Sequence, residues 1–248
     1  MNSTIREITN RKSVRVFEEM EIPYDIKEQI LNAAFMAPTA GNQMLYAIID
    51  VTDKTLKEKL AITCDDQPFI AKAPLVLIFL ADCRRWFDAY HYAGQPARKP
   101  GLGDLFLAFQ DAIIAAQNAV VAAESFGIGS CYIGDILENA ETHIELLGLD
   151  EFVVPISMVV FGYPTVQQIQ REKPKRFDEK YIVHENRYRR LDETEHRDMF
   201  IERSNDVDFE FDSYIEKFCK RKYMSDFSME MTRSAEYYAR KFLKQEEQ

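Results

Sequence analysis

The sequence predicts an α+β protein, a mixed β-sheet flanked by helices. Apolar runs alternate with helical patterns but without a clean βαβ rhythm. Two runs, LVLIFLAD at 75–82 and FVVPISMVVFGYP at 152–164, are continuous enough to be strands buried on both faces. Between them lies one long apolar helix, 104–126. At a rise of ~1.5 Å per residue it is roughly 34 Å long.

The elements follow in order. Residues 4–10 form a short helix. The helix of 21–37 begins near Asp25, its N-cap candidate, carries Ile26, Ile30, Leu31, Ala34 and Phe35 on one side, and is ended by Pro38. APTAGNQ, 37–43, is a loop. LYAIIDVT, 45–52, is a strand, and KTLKEKLAI, 54–62, a charged helix. After strand 75–82, RWFDAYHYAG (85–94) is an aromatic helix and 95–104 a Pro/Gly loop. Gly127 closes the long helix as its C′ residue. SCYIGDI, 130–136, is a strand and turn, and 138–149 is helical. Pro155 gives the last strand an irregular start. Residues 165–190 are polar and extended, and the tail from about 194 to 248 is helical and charged. The division that results is a main domain over 1–190 and a helical C-terminal extension over 191–248, packed on that domain or on a partner subunit.

Composition narrows the function classes. The chain has 248 residues, 46% apolar and 29% charged, with a formal net charge of −10. That balance is globular and acidic, which argues against nucleic acid and anionic lipid as partners. Gln110, Asp111, Gln117, Asn118 and Glu124 interrupt the long helix, so it reads as buried in protein, not in a membrane. The first residues, MNSTIREITNRK, lack the apolar run of a secretory signal. The four cysteines form no C-x-x-C pair and the four histidines no H-E-x-x-H, so no metal site is expected. Scattered thiols suit a reducing, cytoplasmic setting. Gly127-Ile128-Gly129 and Gly101-Leu102-Gly103 are incomplete dinucleotide fingerprints. Asp206, Asp208, Glu210 and Asp212 lack the spacing of a calcium loop.

Against this acidic background RKSVRVF, 11–17, concentrates Arg11, Lys12 and Arg15 around Ser13, and REKPKR repeats the concentration at 171–176. Together with APTAGNQ (37–43), AAESFGIGSCYIGD (122–135), PISMVVFGYP (155–164), and KPKRF followed by IVHENRY (173–188), RKSVR resembles the nitroreductase family of flavoproteins. The last pair resembles its NADPH-dependent flavin reductase and oxygen-insensitive nitroreductase subgroup. The likeness covers about residues 5–190.

The resemblance implies a nitroreductase-like fold, an intertwined homodimer, and one FMN in each of two interface sites. An FMN phosphate needs cations, hydroxyls and backbone N–H groups. Arg11, Ser13 and Arg15 alternate along an extended segment and project to one side, whereas Lys12 points away but stays a candidate through its backbone. A solvated basic patch is the alternative. Lys173 resembles the start of the family's K-P-R, and either Lys175 or Arg176 holds the arginine's place. In APTAGNQ, Thr39 supplies a hydroxyl, and Asn42 and Gln43 supply amides for the ring or ribityl chain. Gln67 matches a flavin-contacting glutamine. Asp65 and Asp66 depart from the family's small residues, and either shift nucleotide preference or face solvent. Tyr132, Ile133, Gly134 and Asp135 match the segment beneath the ring, where backbone N–H groups stabilise reduced flavin. Asp135 replaces a frequent glycine and is expected to point outward. Cys131 reads as a buried structural thiol. Arg221 is the candidate for the 2′-phosphate of NADPH.

No side chain is assigned a catalytic role, because the chemistry is the flavin's. The expected activity passes a hydride from NADPH or NADH to a nitroaromatic, quinone or flavin acceptor by ping-pong turnover. The alternative is a flavin-holding or redox-sensing module without turnover.

Overall fold

The computed structural model describes residues 1–206 and 208–243. The chain divides into two compact units: residues 1–171 together with the chain from Glu230 onward, and residues 172–229.

The first unit is built on four strands. In chain order it contains α1 (Ser3–Asn10), α2 (Tyr24–Phe35), β1 (Tyr46–Asp50), α3 (Lys54–Thr63), α4 (Phe69–Lys72) and β2 (Leu75–Asp82). There follow α5 (Arg84–Tyr92), α6 (Leu102–Ser125), β3 (Gly129–Ile133), α7 (Ala140–Leu147), β4 (Val153–Gly162) and α8 (Val166–Gln170). The strands lie in the order β1-β2-β4-β3, each neighbour antiparallel. A parallel pairing occurs as an isolated bridge between Ser13 and Ser130, at the β3 edge.

All eight residues of β2 are buried, so it reads as one apolar run. The two-residue strand period sorts its side chains between two cores. Leu77 and Phe79 join Val159, Phe161 and the alanines of α6, while Val76, Ile78 and Leu80 join Met158, Val160, Leu60 and Ile70. Helices therefore cover both faces of an antiparallel sheet. The irregularity expected at Pro155 is a bulge: the register shifts from Leu80–Pro155 to Phe79–Ser157, leaving Ile156 as the extra residue after the first three pairs of the strand.

α6 presents Ala108, Ala112, Ala115, Ala116, Ala119 and Ala123 inward. Small side chains let the helix sit close to the sheet. It starts earlier than expected because Asp104 reaches back to the Gly101 N–H at 2.7 Å. α2 also starts earlier: Pro23, not Asp25, is the N-cap, and Asp25 lies in the first turn. Proline already holds φ at −55° there, and the aspartate's charge suits the helix N-terminus from within it. α8 interrupts the segment expected to be extended throughout 165–190.

The second unit holds α9 (Glu193–Ser204) and α10 (Phe211–Lys222). Arg203 lies over the rings of Phe177, Phe200 and Tyr214, a cation surrounded by aromatics where a small unit has little aliphatic core. α11 (Asp226–Leu243) begins in this unit and continues in the first. There it buries Ser234, Tyr238 and Phe242. Residues 244–248 of the expected helical tail lie outside the described residues.

Candidate functional site: a cation segment on the β3 edge

The segment 11–17 is fixed by backbone contacts on both sides. Val14 donates to the Ser130 carbonyl at 2.9 Å, and Glu18 to the Tyr163 carbonyl at 2.8 Å. Val14 is buried against Gly129, where an added Cβ would lie 2.5 Å from a Val14 methyl. Phe17 packs equally closely on Gly162. These two glycines let an extended segment lie flat on the strand ends.

That geometry sends alternate side chains to opposite sides. The Cys131 thiol is pushed up by burial, and is drawn back down by Arg15, by a hydrogen bond with Ser13, and by Arg11. Arg11, Ser13 and Arg15 thus converge around one buried thiol. Cys131 is 1% exposed and unactivated, a structural residue. Arg11 Nη1 is buried with no hydrogen-bond partner. Lys12 points the other way. Its ammonium donates to the Ile169 carbonyl at 2.6 Å and to the Arg171 carbonyl, so its charge is spent on the end of α8. Arg171 in turn donates to the Ser13 carbonyl, and the Arg15 N–H to Gln168 Oε1 at 3.4 Å. The Arg15 guanidinium lies 6.0 Å from the centre of the Phe69 ring.

The 39–45 loop is organised by a residue whose role sequence reasoning missed. Asp111, 2% exposed on α6, accepts from the Ala40 N–H at 2.9 Å and from the Leu45 N–H at 3.0 Å. Its two oxygens satisfy donors at both ends of a turn in which Gly41, Asn42 and Met44 all have positive φ. The signal was present: a carboxylate in the middle of an apolar helix, away from either end. Thr39 Oγ1 accepts from the Met44 N–H at 3.2 Å, so this hydroxyl shapes the loop. Asn42 is exposed and Gln43 half-buried. Trp86 donates to the Gln43 carbonyl at 2.7 Å. Behind it is a cavity of about 270 Å3 lined by residues including Trp86, Tyr90, Arg98, Asp104 and Leu107.

Gln67 follows a turn in which Asp65 and Asp66 have φ of 62° and 47°. Both aspartates are exposed, the solvent-facing alternative. Gln67 Nε2 donates to the Cys64 carbonyl at 2.8 Å and to Asp135 Oδ2 at 3.2 Å. Asp135 therefore does not point outward as expected; it is half-buried and turned to an amide donor. Tyr132 sends its hydroxyl to Gln117 at 3.2 Å, and burial pushes that phenol up to about 12. Ile133 is buried in the sheet and Gly134 exposed at its end. The turn after Gly134 is held from below. Buried His143 contacts the Ile136 carbonyl at 2.9 Å and Thr63 Oγ1 at 2.8 Å, and burial keeps it neutral by lowering its pKa. Glu230 of α11 accepts from the Asn139 N–H at 3.0 Å, and Ser234 from the Ala140 N–H at 3.0 Å, capping α7.

Lys173, Lys175 and Arg176 lie exposed in the second unit, ahead of a 3-10 turn at Glu179–Tyr181. Arg221 lies on α10 of that unit, 5.2 Å from the Phe218 ring centre. No cluster of three or more metal-ligating side chains occurs among the described residues.

A family profile described as "Nitroreductase family" matches residues 8–163. The chain belongs to the nitroreductase family. The matched span runs from α1 through β4, so it includes the cation segment, the Asp111-held loop, Gln67 and the turn after β3. Among curated nitroreductase relatives, an oxygen-insensitive NADPH nitroreductase of Salmonella typhimurium is 32% identical over 194 residues, 78% of each chain. An NAD(P)H FMN reductase of Bacillus subtilis is 30% identical over 197 residues, 78% of this chain and 77% of that one. The solved structure of NfrA2 from B. megaterium superposes with a TM-score of 0.81 at 29% identity, covering 96% of this chain and 98% of the other. The nitroreductase fold thus extends to nearly the whole chain.

Proposed function

We propose that this nitroreductase-family chain is an FMN-dependent oxidoreductase that passes a hydride from NAD(P)H to a nitroaromatic, quinone or flavin acceptor. The observation that carries the reading is the Arg11 guanidinium: its Nη1 is buried and unpartnered, beside Ser13 and Arg15. A buried cationic donor without a partner costs free energy, and an anion docking there recovers it. The donor set, two guanidinium groups and a hydroxyl, fits a phosphate monoester.

Bound FMN would supply the redox chemistry, accepting two electrons as hydride and returning them to an acceptor. The chain's own tasks are those of a holder. Arg11, Ser13 and Arg15 bind the phosphate. The Thr39–Gln43 loop, braced by Asp111, and Gln67 orient the remainder through hydrogen bonds. The backbone at Ile133, Gly134 and Asp135 presents fixed dipoles to the ring. One face serving donor and acceptor in turn gives ping-pong kinetics. Exposed Phe106, Leu107, Phe109 and Ile114 along α6 support assembly as a homodimer, since adjacent large apolar side chains favour burial.

The test is the visible spectrum of the purified protein, with and without added FMN. A flavin spectrum bleached by NAD(P)H and restored by menadione or a nitroaromatic is expected. Flavin that binds but is not bleached would leave a binding module without turnover, and protein that takes up no FMN would end the reading. Arg11→Ala is expected to weaken FMN binding by about 1.5–3 kcal/mol, the range for a hydrogen bond to a charged group, roughly 10- to 150-fold in Kd. The same variant should leave the thermal midpoint of the FMN-free protein unchanged or raised, because it removes an orphaned donor.

A further inference from the structure

We propose that Asp135 is a positioning residue. It locks the Gln67 side chain with its carbonyl oxygen turned to the flavin, and it places a fixed negative charge beside the ring. The inference rests on the functional reading above and concerns what this chain adds to it.

The amide orientation is fixed by its neighbours. A glutamine amide has two N–H donors, and Gln67 Nε2 uses them on the Cys64 carbonyl at 2.8 Å and Asp135 Oδ2 at 3.2 Å. Neither partner can donate when Asp135 is ionised. A flipped amide would set its oxygen against a carbonyl and a carboxylate, two repulsive contacts in place of two hydrogen bonds. Oε1 is the atom left over. The backbone cannot relieve the constraint by moving. The Gln67 N–H donates to the Ala61 carbonyl at 2.8 Å, and the Gln67 carbonyl accepts from Ile70 at 3.0 Å. Asp135 is held as well, since its carbonyl accepts from the Glu138 N–H at 3.0 Å and closes the turn at Gly134–Leu137.

Two consequences follow for a bound flavin. An acceptor-only Gln67 pairs with an N–H or O–H of the ligand, the imide N–H of the ring or a ribityl hydroxyl, and rejects a ligand carbonyl. The Asp135 carboxylate, one hydrogen bond behind that contact, opposes the negative charge that the ring gains on reduction. The chain should therefore hold its flavin at a lower midpoint potential than a variant with a neutral residue at 135.

The two effects separate with two variants, each measured for FMN affinity by fluorescence quenching and for midpoint potential by dye-coupled titration. Asp135→Asn keeps an oxygen to receive the Gln67 N–H but removes the charge. Asp135→Ala removes both. Both variants are expected to show a raised potential. Asp135→Ala is expected to bind FMN about three- to tenfold more weakly than Asp135→Asn, the effect of one neutral hydrogen bond. Thermal midpoints of the FMN-free proteins report whether each variant is folded. An unchanged potential in Asp135→Asn overturns the charge effect, and equal affinities in the two variants overturn the lock. Wild-type protein that binds no FMN overturns the functional reading itself. Wild-type protein that binds FMN, with variants indistinguishable from it, overturns this inference alone.

Discussion

Glu138 has one carboxylate oxygen buried without a partner and is 5% exposed. Burial first, then the charges of Asp135, Asp65 and Glu230, push its carboxyl from 4.5 up to about 7. The fold thus prefers the protonated form. Its contribution to stability is fully present below the unfolded value near 4.5 and is lost as pH rises through about 7. Glu138→Gln, which stays neutral, should raise stability at pH 8 by about 2 kcal/mol after allowance for solvent screening, and change little at pH 5. Thermal melts at the two pH values check this, and an equal shift at both would contradict it. Asp111 matters through its hydrogen bonds. Its carboxylate accepts two backbone N–H groups, so Asp111→Asn turns a donor toward a donor and should destabilise the fold by about 2–4 kcal/mol, read by urea denaturation. The alternation of Arg11, Ser13 and Arg15 was legible in the sequence because the strand period fixes which side chains share a side. The partners of Asp111 were not, because they are backbone N–H groups 66 and 71 residues away.

Single elements carry the site through close backbone approach. Gly129 is the tightest point, since a Cβ there would meet Val14 at Cγ2, 2.5 Å away, and at Cβ, 2.9 Å away. A β-branched side chain has little freedom to yield. Gly129→Ala should therefore push the cation segment off the β3 edge, costing about 1–3 kcal/mol of stability. It should also weaken FMN binding although residue 129 is not itself a proposed ligand contact; isothermal titration and melting read the two effects. Helix boundaries show the limits of local signals. The core of α2 was visible from its apolar positions, but its start was set by Pro23 rather than by the aspartate two residues on. α8 was not visible, because five residues are too few to show a helical period and its apolar Val166 and Ile169 stay exposed; it is held by tertiary contacts, with buried Gln168 near the Arg15 N–H and Lys12 on its terminal carbonyls.

For the whole molecule, FMN should act as a ligand of the native state. At about 100 times its Kd, it should add about 2.7 kcal/mol of stability. For a chain of this size that is a rise of roughly 5–10 °C in Tm, and no rise would contradict the proposed site. The α+β class, the two buried strands and the long apolar helix were determined by the sequence alone, because periodicity and local turn chemistry are properties of neighbouring residues. So was the concentration of cations in an acidic chain. Only the tertiary structure decided that Arg11 keeps a buried, unpartnered nitrogen, that Asp111 braces a loop, that Asp135 turns inward to Gln67, and that α11 returns to cap α7. Each of these depends on groups far apart in the chain meeting where water is excluded, and there the cost of an unpaired polar atom dictates the arrangement.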